Sequence, residues 1–297
     1  MTTTYSNKLA FLSTDNLEDF FVYDELLIPY FNDAGWAVET ISWHQKGVDW
    51  NSFDAVIVRS TWDYQTAPQA FSTCLTEIGE SDTHLENPLP LMRWNMRKTY
   101  LRDLTDNGVA TIPTVWLDSW EQQQVNAQFA RFNTDTLIVK PVLSANADDT
   151  FRLNKAMLER DADTLAAVFS QRALMVQPFI SNILEEGEYS LFYFDGALSH
   201  AIVKRPASGD FRVQEEHGGQ LALVTPDAGA IKMSEAALAA MPNDALYARI
   251  DLVRYQGQYR VMEVELIEPS LYFQLDDASP QRFVDAFLRR HGRFRGD

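Results

Sequence analysis

The chain predicts a mixed α/β and α+β protein whose first unit is a parallel, helix-covered sheet and whose remainder is built from strand pairs and small strand–helix units. Two observations carry this. Apolar runs with strand character alternate with a helically spaced segment over the first 60 residues, and paired strands around tight glycine turns fill the last third. At 297 residues the chain is long enough for two or three units of about 100 to 150 residues each. The expected division is 1–92, 93–184 and 185–297.

Taken in order, KLAFLS (8–13) reads as a short buried strand and 20–34 as a helix stopped by Gly35. WAVETISW alternates as a second strand, and FDAVIVRST is a nearly continuous apolar third, as strands covered on both faces are. Cys74 falls on the apolar side of a helical pattern in AFSTCLTEIGE, which makes it a core or boundary thiol. Asn87-Pro88 and Leu89-Pro90 punctuate the end of the first unit. A helix is expected over 95–109, with Leu101 and Leu104 on its apolar stripe and Gly108 as its stop, and Lys98 leads this new unit. TLIVKP, the polar loop SANADDTFRLN, the helical LERDADTLAAVFSQ and the strand ALMVQPFI then form a strand–loop–helix–strand unit. Two strands flank Asp195-Gly196, and after a glycine-containing loop and the helix MSEAALAAMPNDALYA two more flank Gln256-Gly257-Gln258. PQRFVDAFLRRH closes the chain as a helix.

Composition excludes several classes. With 42 acidic against 25 basic residues the net charge of −17 repels a phosphodiester backbone, so nucleic acid is not the expected partner. A nucleotide remains compatible, because a local basic pocket overrides the global field. One cysteine forms no internal disulfide and no cysteine metal site. There is neither a signal-peptide pattern nor an apolar run of about 20 residues, so no membrane association and a cytoplasmic location are expected. His217 has no companion at metal-ligand spacing.

The most telling residues are Glu263 and Glu265 in RVMEVELIEPS. Side chains at i and i+2 of a strand share a face, so two acids on one apolar strand either repel at a cost or share a hard cation, and Asp251 on the neighbouring strand completes a set of oxygen donors. Lys140 ends an apolar strand before Pro141, its stem buried and its ammonium suited to phosphate. Lys204 and Arg205 end another such strand, and Arg212 follows in the loop 209–219, whose three glycines admit close backbone approach. In a chain so acidic, these cations are expected to converge on an anion. VQPFI leads into a proline hinge whose backbone groups suit an adenine edge, and Glu185, Glu186 and Glu188 are equal candidates for ribose hydroxyls. Arg59, Ser60, Asp63 and Tyr64 follow a buried strand, where parallel sheets keep their sites; Arg59 is expected to clamp a substrate carboxylate and the others to orient its polar group.

In this order the motifs resemble the ATP-grasp superfamily, in its branch of glutathione-synthetase-like and ribosomal-protein glutamate ligases. The RSTWDY segment and the tail Leu266–Ser270 look closest to O-ureido-serine cyclo-ligase type enzymes. The resemblance spans 90–275 in detail and the N-terminal unit by topology, and implies an ATP-grasp fold behind a Rossmann-like N-terminal domain. It implies Mg2+ (or Mn2+) and ATP as cofactors, and small carboxylate and amine substrates joined through an acyl phosphate. By residue, it places Lys98, Lys140 and Lys204 on nucleotide, Gln177, Pro178, Phe179 and Ile180 at adenine, and Glu188 at ribose. Arg205 goes to substrate, Arg249, Arg212 and Lys140 to the transferring phosphoryl group, and Asp251, Glu263 and Glu265 to metal. A homodimer is common among similar proteins. Two departures stand out: Glu265 replaces the usual asparagine, and Leu266-Ile267-Glu268-Pro269-Ser270 replaces an asparagine-proline-glycine ending. Competing readings of the same residues are a regulatory ATP-binding module and a phosphoryl transferase.

Overall fold

Four parallel strands begin the molecule: β1 (Asn7–Ser13), β2 (Trp36–Ser42), β3 (Ala55–Val58) and β4 (His84–Glu86), in the order β2-β1-β3-β4. The computed structural model describes residues 5–18, 20–144 and 147–294; Ala145 and Asn146 of the expected polar loop lie outside the described residues. Both faces of this sheet are covered, which is why its strands read as unbroken apolar runs. Leu9, Phe11 and Ile57 pack on Phe31, Trp36, Phe283 and Phe287, while Leu12, Val56 and Val58 pack with Trp43, Phe71 and Leu75.

The helix expected over 20–34 is reduced to a 3-10 turn (Asp24–Leu27) and a short helix (Ile28–Asp33), because Pro29 is tolerated only in a first helical turn. The expected break at Leu89-Pro90 is instead the start of a helix (Leu89–Asn95), again with proline in its first turn. The helix foreseen over 95–109 is correspondingly interrupted. Residues 96–99 are non-helical, and a second helix runs Tyr100–Asp106. Lys98 sits in that interruption, its backbone N–H donating to Val142 O at 2.8 Å.

The second sheet is antiparallel, in the order β5-β8-β6-β7: β5 (Val115–Leu117), β6 (Leu137–Pro141), β7 (Phe151–Leu153) and β8 (Leu174–Pro178). The third, also antiparallel, has the order β11-β10-β9-β12-β13: β9 (Glu188–Phe194), β10 (Ala197–Arg205), β11 (Gln220–Leu223), β12 (Tyr247–Tyr255) and β13 (Gln258–Glu265). Its two hairpins turn where expected, with positive φ at Asp195 and Gly196 (49° and 79°) and at Gln256 and Gly257 (53° and 77°), as tight turns matching strand twist require. Phe192 and Phe194 face the first sheet, whereas Leu191 and Tyr193 face Leu101, Leu104 and the helix Ala228–Ala239.

The three sheets fall within the three expected spans, but packing crosses the divisions. The closing helix Ser279–Phe294 lays Phe283, Val284 and Phe287 on the first sheet. Buried Asn87 donates to Tyr247 O (2.9 Å) and Leu266 O (2.8 Å) and accepts from Leu246 N–H (2.7 Å). Asn95 likewise donates to Val264 O and accepts from Leu266 N–H. Both asparagines thus hold the end of β13. Among the described residues no helix is long and apolar enough to cross a membrane.

Candidate active site

A cleft between the second and third sheets collects side chains from both of them and from loops of the N-terminal unit, where Phe20, Trp62 and Tyr64 line it. Its floor is the β12–β13 pair, whose register sets Asp251 opposite Glu263 and Arg249 opposite Glu265. Because 249 and 251, like 263 and 265, are two apart on their strands, all four side chains share the cleft face. Carboxylate oxygens of Asp251, Glu263 and Glu265 lie within 4.8 Å of one another. Such an all-oxygen set of hard donors fits a divalent cation such as Mg2+.

Four cations balance the acids. Glu263 accepts from Lys98 Nζ at 2.6 Å and Lys140 Nζ at 3.0 Å. Asp251 accepts from Ser190 Oγ at 2.5 Å and Arg249 Nε at 3.1 Å, with Lys204 Nζ at 3.5 Å. Arg249 also pairs with Glu265, and Lys204 with Glu188. Burial disfavours both carboxylates, yet Lys140 and Lys98 hold the Glu263 carboxyl well below its usual range, and Arg249 and Lys204 lower that of Asp251. Lys204 is held protonated against its burial by Asp251 and Glu188, and Arg249 by Asp251 and Glu265. At Glu265 burial prevails over Arg249, and the carboxyl is raised. Glu188, deep at the start of β9, is pushed by burial up to about 7.

The hinge lies where β8 ends. Gln177 Nε2 donates to Thr114 Oγ1 at 2.9 Å, and the Phe179 N–H donates to Thr136 O at 2.9 Å, so that amide is already engaged. The Arg152 guanidinium lies 4.0 Å from the centre of the Phe179 ring, and Phe211 of the glycine loop meets the same ring edge-on. Of the three candidate acids, only Glu188 lines the cleft; Glu185 is exposed and Glu186 pairs with Arg254. Arg212 lines the cleft, clasped by Asp210 at 2.7 Å.

Four expected substrate residues are placed elsewhere. Arg205 is exposed, because strand alternation turns it to the face opposite Lys204. Arg59 is buried; its Nε pairs with Asp24 at 2.9 Å and its Nη2 donates to Pro269 O at 3.0 Å, so its role is to fasten a loop and it offers no open carboxylate clamp. The Ser60 hydroxyl also bonds Asp24. Asp63 accepts from Trp43 Nε1 at 2.7 Å and bonds His44 Nε2 at 2.6 Å, tying two loops of the first sheet. Tyr64 alone of this group lines the cleft.

Sequence reasoning passed over the opposite wall: Phe20, Trp62, Glu268, Ser270 and Tyr272. Trp62 Nε1 donates to Glu268 O at 2.7 Å, and Arg249 Nη1 donates to Ser270 O at 3.2 Å. Tyr272 holds a left-handed backbone (φ 47°), costly for a bulky residue and frequent at functional sites. The one signal for Glu268 and Ser270 is the tail Leu266–Ser270, which follows the metal strand and replaces the resembling family's asparagine-proline-glycine ending.

Comparison with known proteins agrees with this geometry. Residues 9–87 match the N-terminal domain of D-cycloserine synthetase DcsG. The cycloserine biosynthesis protein DcsG of Streptomyces lavendulae is 30% identical over 272 residues, covering 86% of this chain and 90% of that protein. The crystal structure of D-cycloserine synthetase DcsG superposes with a TM-score of 0.85 at 28% identity, covering 96% of this chain and 99% of the other. A D-alanine–D-alanine ligase from Bacillus anthracis shares the fold, with a TM-score of 0.69 at 17% identity over 98% of this chain and 99% of its own. The three-sheet fold, the charge-balanced cleft and these likenesses agree: the chain belongs to the D-cycloserine synthetase family of ATP-grasp carboxylate–amine ligases.

Proposed function

We propose that the enzyme closes a ring within one small amino acid, using Mg-ATP to activate the carboxylate and a nitrogen at the end of the side chain to displace phosphate. As an ATP-grasp ligase it forms a C–N bond through a phosphorylated carboxylate. The relative's printed product, cycloserine, contains an acyl carbon bonded to the nitrogen of an O–N unit. The corresponding substrate is an amino acid whose side chain ends in an aminooxy or ureidooxy group. The observation that carries the reading is the cleft floor, where four carboxylates (Glu188, Asp251, Glu263, Glu265) are matched by four cations (Lys98, Lys140, Lys204, Arg249) that can exchange partners when polyphosphate and metal arrive.

Asp251, Glu263 and Glu265 would hold Mg2+ or Mn2+, which when bound neutralises phosphate charge and polarises the bond to be broken. Lys98 and Lys140 would then turn from Glu263 to phosphate oxygens, moving ammonium groups the length of one hydrogen bond. Arg249, anchored by Asp251 and the Ser270 carbonyl, is placed to offset charge on the transferring phosphoryl group, and Arg212 to approach it from the loop. At the hinge, the Phe179 carbonyl and the Ile180 N–H would face the adenine edge, with Gln177 and Pro178 fixing their direction. Glu188 would accept from ribose, and Lys204 would hold it in place. After phosphorylation the substrate nitrogen attacks the acyl carbon, phosphate leaves, and the nitrogen loses a proton; from a ureidooxy substrate the ring nitrogen still carries its carbamoyl group, which water removes as carbon dioxide and ammonia to give the unsubstituted ring. Tyr64, Trp62 and Phe20 screen this end of the cleft from water.

The test is Mg-dependent ADP release across a panel of amino acids bearing aminooxy, ureidooxy, amide and plain side chains, with product masses read from the same reactions. A product of intramolecular condensation from an O–N substrate is expected. Turnover that yields only a dipeptide, or a stable phosphoester, refutes ring closure.

A further inference from the structure

Glu268 is a carboxyl group in the cleft wall with no lysine or arginine within ion-pair distance among the described residues; Lys98, itself paired with Glu263, attracts it only from farther off. Its backbone is fixed on three sides: the Trp62 indole holds the carbonyl of Glu268 (2.7 Å), Arg59 that of Pro269 (3.0 Å) and Arg249 that of Ser270 (3.2 Å). The side chain is half-buried, lines the same cleft as Arg249 and Glu265, and has the Tyr64 hydroxyl as its hydrogen-bond donor. All four carboxylates on the cleft floor have a lysine or arginine within ion-pair distance, and Glu268 has none. Burial, then the nearby Glu265 charge, push its carboxyl up to about 8. In the empty cleft such a carboxyl keeps its proton near neutral pH, and a cation arriving beside it favours the ionised form and gains a charge-assisted hydrogen bond.

We propose that Glu268, with Tyr64, is the subsite that receives the α-ammonium group of the amino-acid substrate. This rests on the reading of the substrate as an amino acid, and it adds which wall recognises it. The carboxylate to be phosphorylated must lie beside Arg249, whose guanidinium is anchored to Ser270, two residues along the loop from Glu268. An α-ammonium is one carbon removed from that carboxylate, and Glu268 lines the same cleft as Arg249, on the loop whose Ser270 carbonyl Arg249 holds. Trp62 and Phe20, ring centres 5.1 Å apart, close the apolar side of the same wall. A substrate lacking the amino group leaves Glu268 without a partner and loses the charge-assisted hydrogen bond.

The experiment is calorimetric titration, in the presence of Mg2+ and a non-hydrolysable ATP analogue, of O-ureidoserine and its des-amino analogue into wild type, Glu268→Gln and Tyr64→Phe. The wild type is expected to prefer the amino acid by roughly 10- to 100-fold, the range of one charged hydrogen bond. Glu268→Gln is expected to lose most of that preference by weakening only the amino acid, and Tyr64→Phe a smaller part of it. Equal binding of the two ligands to wild type, or a preference that survives in Glu268→Gln, overturns the subsite, as does no binding of either. Product mass is followed separately. A wild type that cyclises both ligands equally well keeps the ring-closing function and rejects the subsite; Glu268-dependent binding without a cyclised product keeps the subsite and rejects that function.

Discussion

Replacing Asn87 by alanine is expected to destabilise the protein by about 3 to 5 kcal/mol, large for one uncharged residue. Asn87 is fully buried and satisfies three backbone groups at short range, the N–H of Leu246 (2.7 Å) and the carbonyls of Tyr247 (2.9 Å) and Leu266 (2.8 Å), with the Tyr247 N–H a longer fourth contact at 3.4 Å. Each buried polar group left without a partner costs about 1 to 3 kcal/mol. The two carbonyls keep a second lone pair, so their share falls at the low end, and the orphaned Leu246 N–H sets most of the total. Against a global stability of about 5 to 15 kcal/mol the loss is severe. It is also local to the site, because Leu266 follows Glu265 and Asn87, with Asn95 and Tyr100, pins this strand end. Urea unfolding at 25 °C, with midpoint and slope both recorded, measures it. A loss below about 1 kcal/mol at unchanged slope refutes the reasoning, since it means that the three groups find other partners without strain.

Glu263→Gln keeps shape but removes the charge that joins Lys98, Lys140 and the proposed metal, so Mg-dependent ADP release is expected to fall by on the order of 100-fold, and wild-type turnover at saturating Mg2+ contradicts the ligand assignment. Gly187→Ala places a methyl 2.5 Å from the Lys204 carbonyl at φ 96°, so it is expected to displace the Glu188–Lys204 pair and weaken ATP binding measured by calorimetry; wild-type affinity contradicts this. His200 is buried, stacks on Phe192 and hydrogen-bonds Leu271 O, and burial lowers its pKa from 6.5 to about 4. The folded state therefore resists protonation that the unfolded state accepts. This contribution is fully present above pH 6.5 and is lost as pH falls to 4, by about 3 kcal/mol at 1.36 kcal/mol per unit. In His200→Phe the urea-derived stability is expected to depend less on pH across that window, and an unchanged slope removes His200 as its source.

The sequence was most legible where one face of an element is constrained. The parallel first sheet, both hairpins of the third and the floor Asp251, Glu263 and Glu265 follow from apolar runs, two-residue turns and the period of two. Short strands such as β4, β5, β7 and β11 carry three or four residues each, too few for any period to register. Proline is ambiguous in one way at two places: Pro29 and Pro90 stand in the first turn of a helix, where spacing alone predicts a helix interior and a break. The substrate wall failed for a different reason. Arg59, Ser60 and Asp63 have the composition of a site, but their partners Asp24, Trp43, His44 and Pro269 lie 19 or more residues away. Strand-end placement gives the neighbourhood of a side chain, and long-range partners decide whether it is free for a ligand. Lys98 needed the resemblance as well, because its position comes from a helix interruption that spacing did not disclose.

This cleft is expected to phosphorylate a substrate carboxylate before nitrogen attacks it. Turnover of the active amino acid labelled with 18O in its carboxylate tests it most directly, by mass spectrometry of the released phosphate. Phosphate carrying one labelled oxygen is the predicted result, since the bridging oxygen of an acyl phosphate leaves with phosphorus. Unlabelled phosphate from a reaction that still consumes ATP would contradict the account.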